Sequence, residues 1–240
     1  MNDHQSFQRF AALAAIISFP LTLGSIVLSG MALDFNMEAS TNPALLLSVG
    51  ADGASLSRWG MILEMLGFYL PLLPVALFLW RWIGPRNPDW VLFYTSCGLG
   101  YILVGAIGAA ILAAVHPPLI SAYAQAPVEQ RPVLEAVFSA IGNMVYGGMW
   151  AMLDTLLVGI WFLGIGLLLQ GERRLFSIFS IVLGISALLS SLGVILGIEA
   201  IAFFLGVIYG LLAPVWALWL GIDLLRKPVQ IETTRVAGDS

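Results

Sequence analysis

Two carboxylates lie inside apolar runs of this chain: Glu64, within Arg58 to Trp82, and Asp154, within residues 145–170. A charged side chain at a bilayer centre costs about 2.5–3.5 kcal/mol on insertion scales unless it is protonated or paired. Glu64 is six residues past Arg58, so a helix starting there carries it ~9 Å inward; Asp154 is eight past Tyr146, or ~12 Å. At similar depths the two acids could face one cavity, with Tyr69, Tyr101, Asn143, Tyr146 and Thr155 as hydrogen-bond donors and Trp150 as an aromatic wall. The chemistry open to such a set is ligand binding or proton carriage. If the acids approach within hydrogen-bonding distance, one should hold a proton, because like charges cannot both ionise cheaply. The plainer reading stays open for each: a structural hydrogen bond to a facing helix, or a separate helix contact.

The other polar residues in or near these runs have simpler expected roles. Glu199 reads as a solvated turn residue, and Asp223 as the ion-pair partner of Arg226 and Lys227 three and four positions on. His116, beside Pro117 and Pro118, reads as a loop residue that ends its helix. His116, Glu64, Asp154 and Glu199 together form a conceivable metal set for hydrolysis, although no HExxH or similar spacing is present. No metal site, catalytic residue or cofactor is expected. Paired intramembrane histidines for haem, an intramembrane lysine for a Schiff base, a P-loop, a dinucleotide fingerprint and a serine elbow are all missing from the sequence.

The elements that must position these residues follow from composition. Of the 240 residues 60% are hydrophobic and only 10% charged, which is the signature of a membrane protein. The net charge of −4, with no basic stripe, argues against nucleic acid as a partner. The lone Cys97 excludes an intrachain disulfide. Hydropathy predicts six transmembrane helices, at about 10–32, 59–83, 90–115, 145–170, 175–197 and 200–225, in one all-α domain. The first run reads as a retained helix rather than a secretory signal, being too long and lacking a basic start. Eight of the ten Lys and Arg residues, Arg235 among them, fall at the tails and at the links after spans two and four. Only Arg58 and Arg131 fall on the other side, so both termini should be cytoplasmic.

Spacing adds detail. Gly60, Glu64, Gly67, Pro71 and Pro74 form one narrow stripe on the second helix, which should face protein and carry Glu64 inward. Ala11, Ala15, Ser18, Thr22, Ser25 and Ser29 form a matching small-residue seam on the first. Residues 33–57 read as an outer loop in which Ala44 to Val49 lie on the bilayer surface. Gly105, Ala109 and Ala113 form a small face on the third helix. A continuous helix from Pro132 to Gln170 would be ~58 Å long against ~30 Å of hydrocarbon, so residues 132–146 should form an interfacial helix, with a bend near Gly147-Gly148. Gly147, Ala151, Asp154, Val158 and Trp161 should share one face. Trp59, Trp80, Trp82, Trp90 and Trp150 fit an aromatic belt, while Trp161, Trp216 and Trp219 lie deeper, where they could line a lipophilic pocket or pack helices.

Three stretches carry a family resemblance. RWGMILEMLGFYLPLLPVALFL resembles the second helix of six-helix bacterial membrane proteins grouped as domain of unknown function 4386, in which an arginine–glycine start precedes a glutamate; Glu64 matches it. GLLLQGERRLFSIFSIVLG resembles the family's turn after helix four, with Arg173-Arg174-Leu175-Phe176 where an isoleucine–proline–arginine–tryptophan motif is usual. LLAPVWALWLGIDLLRK resembles its terminal helix. The third helix departs, with Gly98-Leu99-Gly100-Tyr101 in place of an arginine and a glutamate, so a charged partner for Glu64 is missing there. The resemblance implies the architecture and a bacterial cytoplasmic membrane, and brings no activity with it.

The sequence thus predicts a six-span bundle that binds or transports a lipophilic or weakly polar ligand in an outward-facing cavity, with membrane lipids as partners. Two other readings stand beside it. One is an accessory subunit docked on a larger membrane complex or on copies of itself; the other is an intramembrane metal-dependent hydrolase.

Overall fold

The computed structural model describes residues 3–36, 42–227 and 229. Arg235, counted toward the charge bias, lies outside them. Among the described residues, six helical runs are long and apolar enough to cross a membrane. They are α1 (Asp3–Ala32); a second run of α3 (Gly50–Glu64), a π segment (Met65–Tyr69) and α4 (Leu72–Ile83); α5 (Pro88–Gln125); a fourth run of α6 (Arg131–Gly142), a π segment (Asn143–Asp154) and α7 (Thr155–Leu168); α8 (Arg174–Leu196); and α9 (Glu199–Arg226). Each run packs on the next in chain order, and α1 packs on α9, so the bundle closes into a ring. Six crossings bring the start of α1 and the end of α9 to one face of the bundle, here called the terminal end; the opposite face is the far end.

The seam of α1 and the stripe of the second run meet as the spacing predicts. A Cβ on Gly60 would lie 2.6 Å from Ser29 Oγ, and one on Gly67 would lie 2.6 Å from the Thr22 backbone nitrogen. Backbones approach this closely only where side chains are minimal. Pro71 has no N–H, so the Gly67 carbonyl loses its helical donor. Ser18 Oγ supplies one instead at 2.6 Å. Just before that proline the helix widens, with Leu70 N donating to Met65 O at 3.0 Å, and the Tyr101 hydroxyl donates to Phe68 O at 3.3 Å. The widened turn is therefore capped from two neighbouring helices.

Several expectations change at the far end. The outer loop is shorter than 33–57, because α3 already begins at Gly50; Arg58 is thus well inside the helix and Glu64 lies further from its start than six residues. Residues Pro43–Leu47 form a short helix, α2, whose Leu47 is fully buried rather than lying on a surface. The third run does not stop at His116: α5 continues through Pro117 and Pro118 to Gln125. Proline's fixed φ is compatible with a helix, and only two carbonyls, of Ala113 and Ala114, lose their donors. Packing compensates, since Ile120 and Tyr123 join Leu47, Ala54 and Phe138 in a far-end cluster. The Tyr123 hydroxyl donates to Glu135 Oε1 at 2.7 Å, and the Arg131 guanidinium lies over the Tyr123 ring.

The fourth run has no loop at Gly147-Gly148. The residues of the expected bend form a π-helical stretch in which both glycines sit, and α6 runs directly into it. Wide turns change which residues share a face. Val158 and Trp161 follow the π stretch in regular α-helix, at four and seven residues from Asp154, and pack in the dry core that also holds Tyr69 and Tyr101. There Trp161 and Trp216 are fully buried, and Trp216 Nε1 donates to Ser180 Oγ at 2.7 Å. The two tryptophans pack helices. Trp82 also leaves the belt: it is buried beneath Arg173, whose guanidinium lies 4.8 Å above its ring.

The terminal end is tied by charge and by backbone contact. Arg86 pairs with Glu172, and Arg173 pairs with Asp223. Asp223 therefore serves a cross-helix partner as well as the expected Lys227, at 3.6 Å. Gln8 donates to the carbonyls of Leu224 and Lys227 at 2.7 and 3.2 Å, joining the start of α1 to the end of α9.

Candidate functional site

Between α1, the second run, the second π segment, α8 and α9 lies a cavity of about 740 Å³. That volume falls within the ordinary range for a small-molecule site. Glu64 and Asp154 both line it, from different helices. Glu199 lines it too, at the far end; it is exposed, as a solvated turn residue should be, yet it stands at the cavity's rim. No Lys, Arg or His among the described residues is in the lining.

The cavity exists because α1 and α9 separate. Near the terminal end, Gly221 lets α9 lie on α1: a Cβ there would be 2.7 Å from the Ala12 carbonyl oxygen and 2.8 Å from Ile16. Toward the far end, Thr22 and Ile26 of α1 line one side of the cavity, and Phe203, Val207 and Leu211 of α9 line another. Ile26, Phe203, Val207 and Leu211 are exposed, so the gap has an apolar rim that faces the surroundings of the bundle. Pro214 adds a local effect by denying the Gly210 carbonyl, itself in the lining, its i+4 donor.

Glycines of α5 seat the aromatic side chains around the acids. A Cβ on Gly105 would overlap the Tyr69 ring, and one on Gly108 would lie within the reach of the Trp150 indole. Gly105, read as one residue of a small packing face, thus seats a ring, and Gly108 outside that face seats another. Trp150 Nε1 donates to the Gly105 carbonyl at 3.3 Å, which fixes the indole, and the Tyr69 and Trp150 centroids are 6.3 Å apart. The Tyr69 hydroxyl donates to Asp154 Oδ2 at 3.3 Å.

The two acids are held differently. Glu64 is half-buried, and Ser25 Oγ donates to its Oε2 at 2.6 Å. A neutral hydroxyl on α1 therefore stands where the family resemblance implies a charged partner from the third helix. Asp154 is only 3% exposed, and its second oxygen, Oδ1, has no hydrogen-bond partner. No hydrogen bond joins Glu64 to Asp154, so the expected proton-sharing contact is not made directly. Buried polar groups normally find partners, and an orphaned carboxylate oxygen in a cavity wall marks a place for one.

Of the residues expected at the site, Glu64, Tyr69, Tyr146, Trp150, Asp154 and Thr155 come together in the lining. Tyr101 does not: it is fully buried behind Tyr69, with centroids 5.4 Å apart, and spends its hydroxyl on Phe68 O. Asn143 is exposed on its helix and outside the lining, because the π turns displace it from the face of Asp154. The sequence reading missed Phe68, Ser190 and Tyr209 as lining residues. Tyr209 sits beside a glycine pair, Gly206 and Gly210, that opens α9 on that side, and this was the available signal.

His116 lies elsewhere. It is buried in α5, stacked on Phe138 at 4.8 Å, and lines a separate small cavity of about 70 Å³ with Ser29, Ser57 and Tyr146. The metal set of His116, Glu64, Asp154 and Glu199 is therefore not assembled. Among the described residues, no three His, Cys, Asp or Glu side chains come close enough to hold a metal ion.

A family model described as "Domain of unknown function (DUF4386)" matches residues 10–227. No curated protein matches the chain, and no solved structure does.

Proposed function

The chain belongs to that family, and from its cavity we propose that it binds, and moves across or within the bilayer, a lipophilic or weakly polar ligand held near Glu64 and Asp154. The observation that carries this reading is the cavity of about 740 Å³ that Glu64 and Asp154 both line, from different helices. An apolar ligand dissolved in the bilayer enters between α1 and α9, past Ile26, Phe203 and Leu211, without crossing water. Membrane lipids are thus both its surroundings and the nearest source of its ligand. The charge bias, with Arg9, Arg81, Arg86, Arg173, Arg174, Arg226 and Lys227 at the terminal end against Arg58 and Arg131 at the far end, supports cytoplasmic termini and a cavity that opens outward. The host membrane on this reading is a bacterial cytoplasmic membrane.

The test uses the purified protein in lipid nanodiscs and three lipophilic probes: uncharged N-phenyl-1-naphthylamine, the tetraphenylphosphonium cation and the tetraphenylborate anion. A Cβ on Gly210 meets nothing within 4 Å, so Gly210→Trp puts a large side chain into open cavity space. At least one probe should bind beyond the level of empty discs and lose tenfold or more in affinity with Gly210→Trp. Binding of every probe at the empty-disc level, or unchanged binding by the variant, overturns the reading.

A further inference from the structure

We infer that the ligand is an amphipathic organic cation, an amine or onium group on an apolar body; this rests on the cavity being a ligand site, as proposed above. Three carboxylates, Glu64, Asp154 and Glu199, contribute to the lining, and among the described residues no cationic side chain opposes them there. An acidic set alone would say little. The independent observation is Asp154, 97% of whose surface is buried, with Oδ1 lacking any hydrogen-bond partner in the wall. The Tyr69 hydroxyl serves the other oxygen alone. Ser25 donates to a single oxygen of Glu64, Oε2.

Each ligand class meets this wall differently. An apolar neutral molecule leaves Asp154 Oδ1 buried and unserved, which is the expensive outcome for a polar group out of water. An anion meets acidic side chains on three helical runs with no cationic side chain in the lining to offset them. A cation supplies the missing partner and favours the ionised form of the acids in a low-dielectric site. The remaining walls suit the rest of such a molecule: Phe68, Tyr69, Tyr146, Trp150, Phe203 and Tyr209 present six aromatic rings to the cavity. Aromatic faces attract cations and also pack apolar bodies. Glu199, exposed at the rim, gives the entrance the same sign as the interior.

Tetraphenylphosphonium and tetraphenylborate have nearly the same shape and opposite charge, so their comparison isolates sign from size and lipophilicity. In nanodiscs of zwitterionic lipid, with empty-disc binding subtracted, the wild type should bind the cation at least tenfold more tightly than the anion. Asp154→Asn should weaken cation binding at least tenfold, and by a larger factor than it weakens binding of uncharged N-phenyl-1-naphthylamine. Glu64→Gln, at a half-buried position, repeats the test should Asp154→Asn fail to fold, which size-exclusion chromatography would show. Equal affinity for the two ions, both blocked by Gly210→Trp, sinks the cation inference and leaves the cavity reading standing. Cation binding that both neutralising variants retain in full also sinks it. Absence of any Gly210→Trp-sensitive binding removes both.

Discussion

The α1–α9 seam behaves in opposite ways at its two ends. Toward the terminal end, Gly221 brings the α9 backbone onto the Ala12 carbonyl, and Gln8 stitches α1 to the last carbonyls of α9. Toward the far end the same two helices carry Ile26, Phe203, Val207 and Leu211 around a cavity instead of a contact. Helix association in a membrane depends on close packing rather than on water exclusion, so a seam closes where residues are small and opens where they are bulky. The difference teaches that the cavity is built by what α9 places opposite α1, not by a hole in an otherwise uniform bundle. The closed half gives the open half its rigidity: the ring can gape at one end because it is clamped at the other.

The strongest challenge to this contrast is to overfill the closed half. Gly221→Val should cost about 3 kcal/mol through forced separation of α1 and α9, read as a lowered midpoint in mixed-micelle unfolding. A variant as stable as the wild type would mean the clamp is not where the backbones touch. Next in size is Gly105→Ala, whose added methyl must displace the Tyr69 ring from its seat. About 2 kcal/mol should be lost, together with probe binding, since Tyr69 would be moved away from Asp154. Ser25→Ala removes the donor to Glu64 and should cost about 1–2 kcal/mol while leaving the bundle monodisperse. No measurable loss there would show that Glu64 takes an equivalent donor elsewhere. Gly210→Trp should have the smallest effect on stability, within about 0.5 kcal/mol, because the side chain enters open space in the half that does not clamp. Its effect should be confined to probe binding, and a large loss of stability would contradict the open geometry.

Much of the fold was legible in the residues themselves. Six apolar runs, the inward stripe with Glu64, and the α1 seam that receives it all follow from length and from small residues spaced by three and four. Part of the site was legible for the same reason: an acid in an apolar run has few places to go, and Glu64 and Asp154 do share a cavity. What failed was the assignment of a face across a wide turn. A period of 3.6 residues puts Asn143 on the face of Asp154, whereas the chain from Asn143 to Asp154 winds more slowly. Tyr101 failed for another reason, since nothing in its spacing shows that Phe68's carbonyl needs a donor. His116 was misplaced because two adjacent prolines usually end a helix, and here the far-end cluster holds the helix together past them.

Sequence alone therefore determined the membrane class, the number of crossings, and that the carboxylate of helix two must turn away from lipid, because hydropathy and the burial cost of charge are properties of single segments. Tertiary structure alone decided that α1 and α9 part company beyond Gly221, that α5's glycines seat the rings of Tyr69 and Trp150, and that Asp154 keeps an oxygen unserved. Those features depend on how two surfaces meet across a helix pair. A period read along one strand of sequence carries no information about its neighbour's bulk.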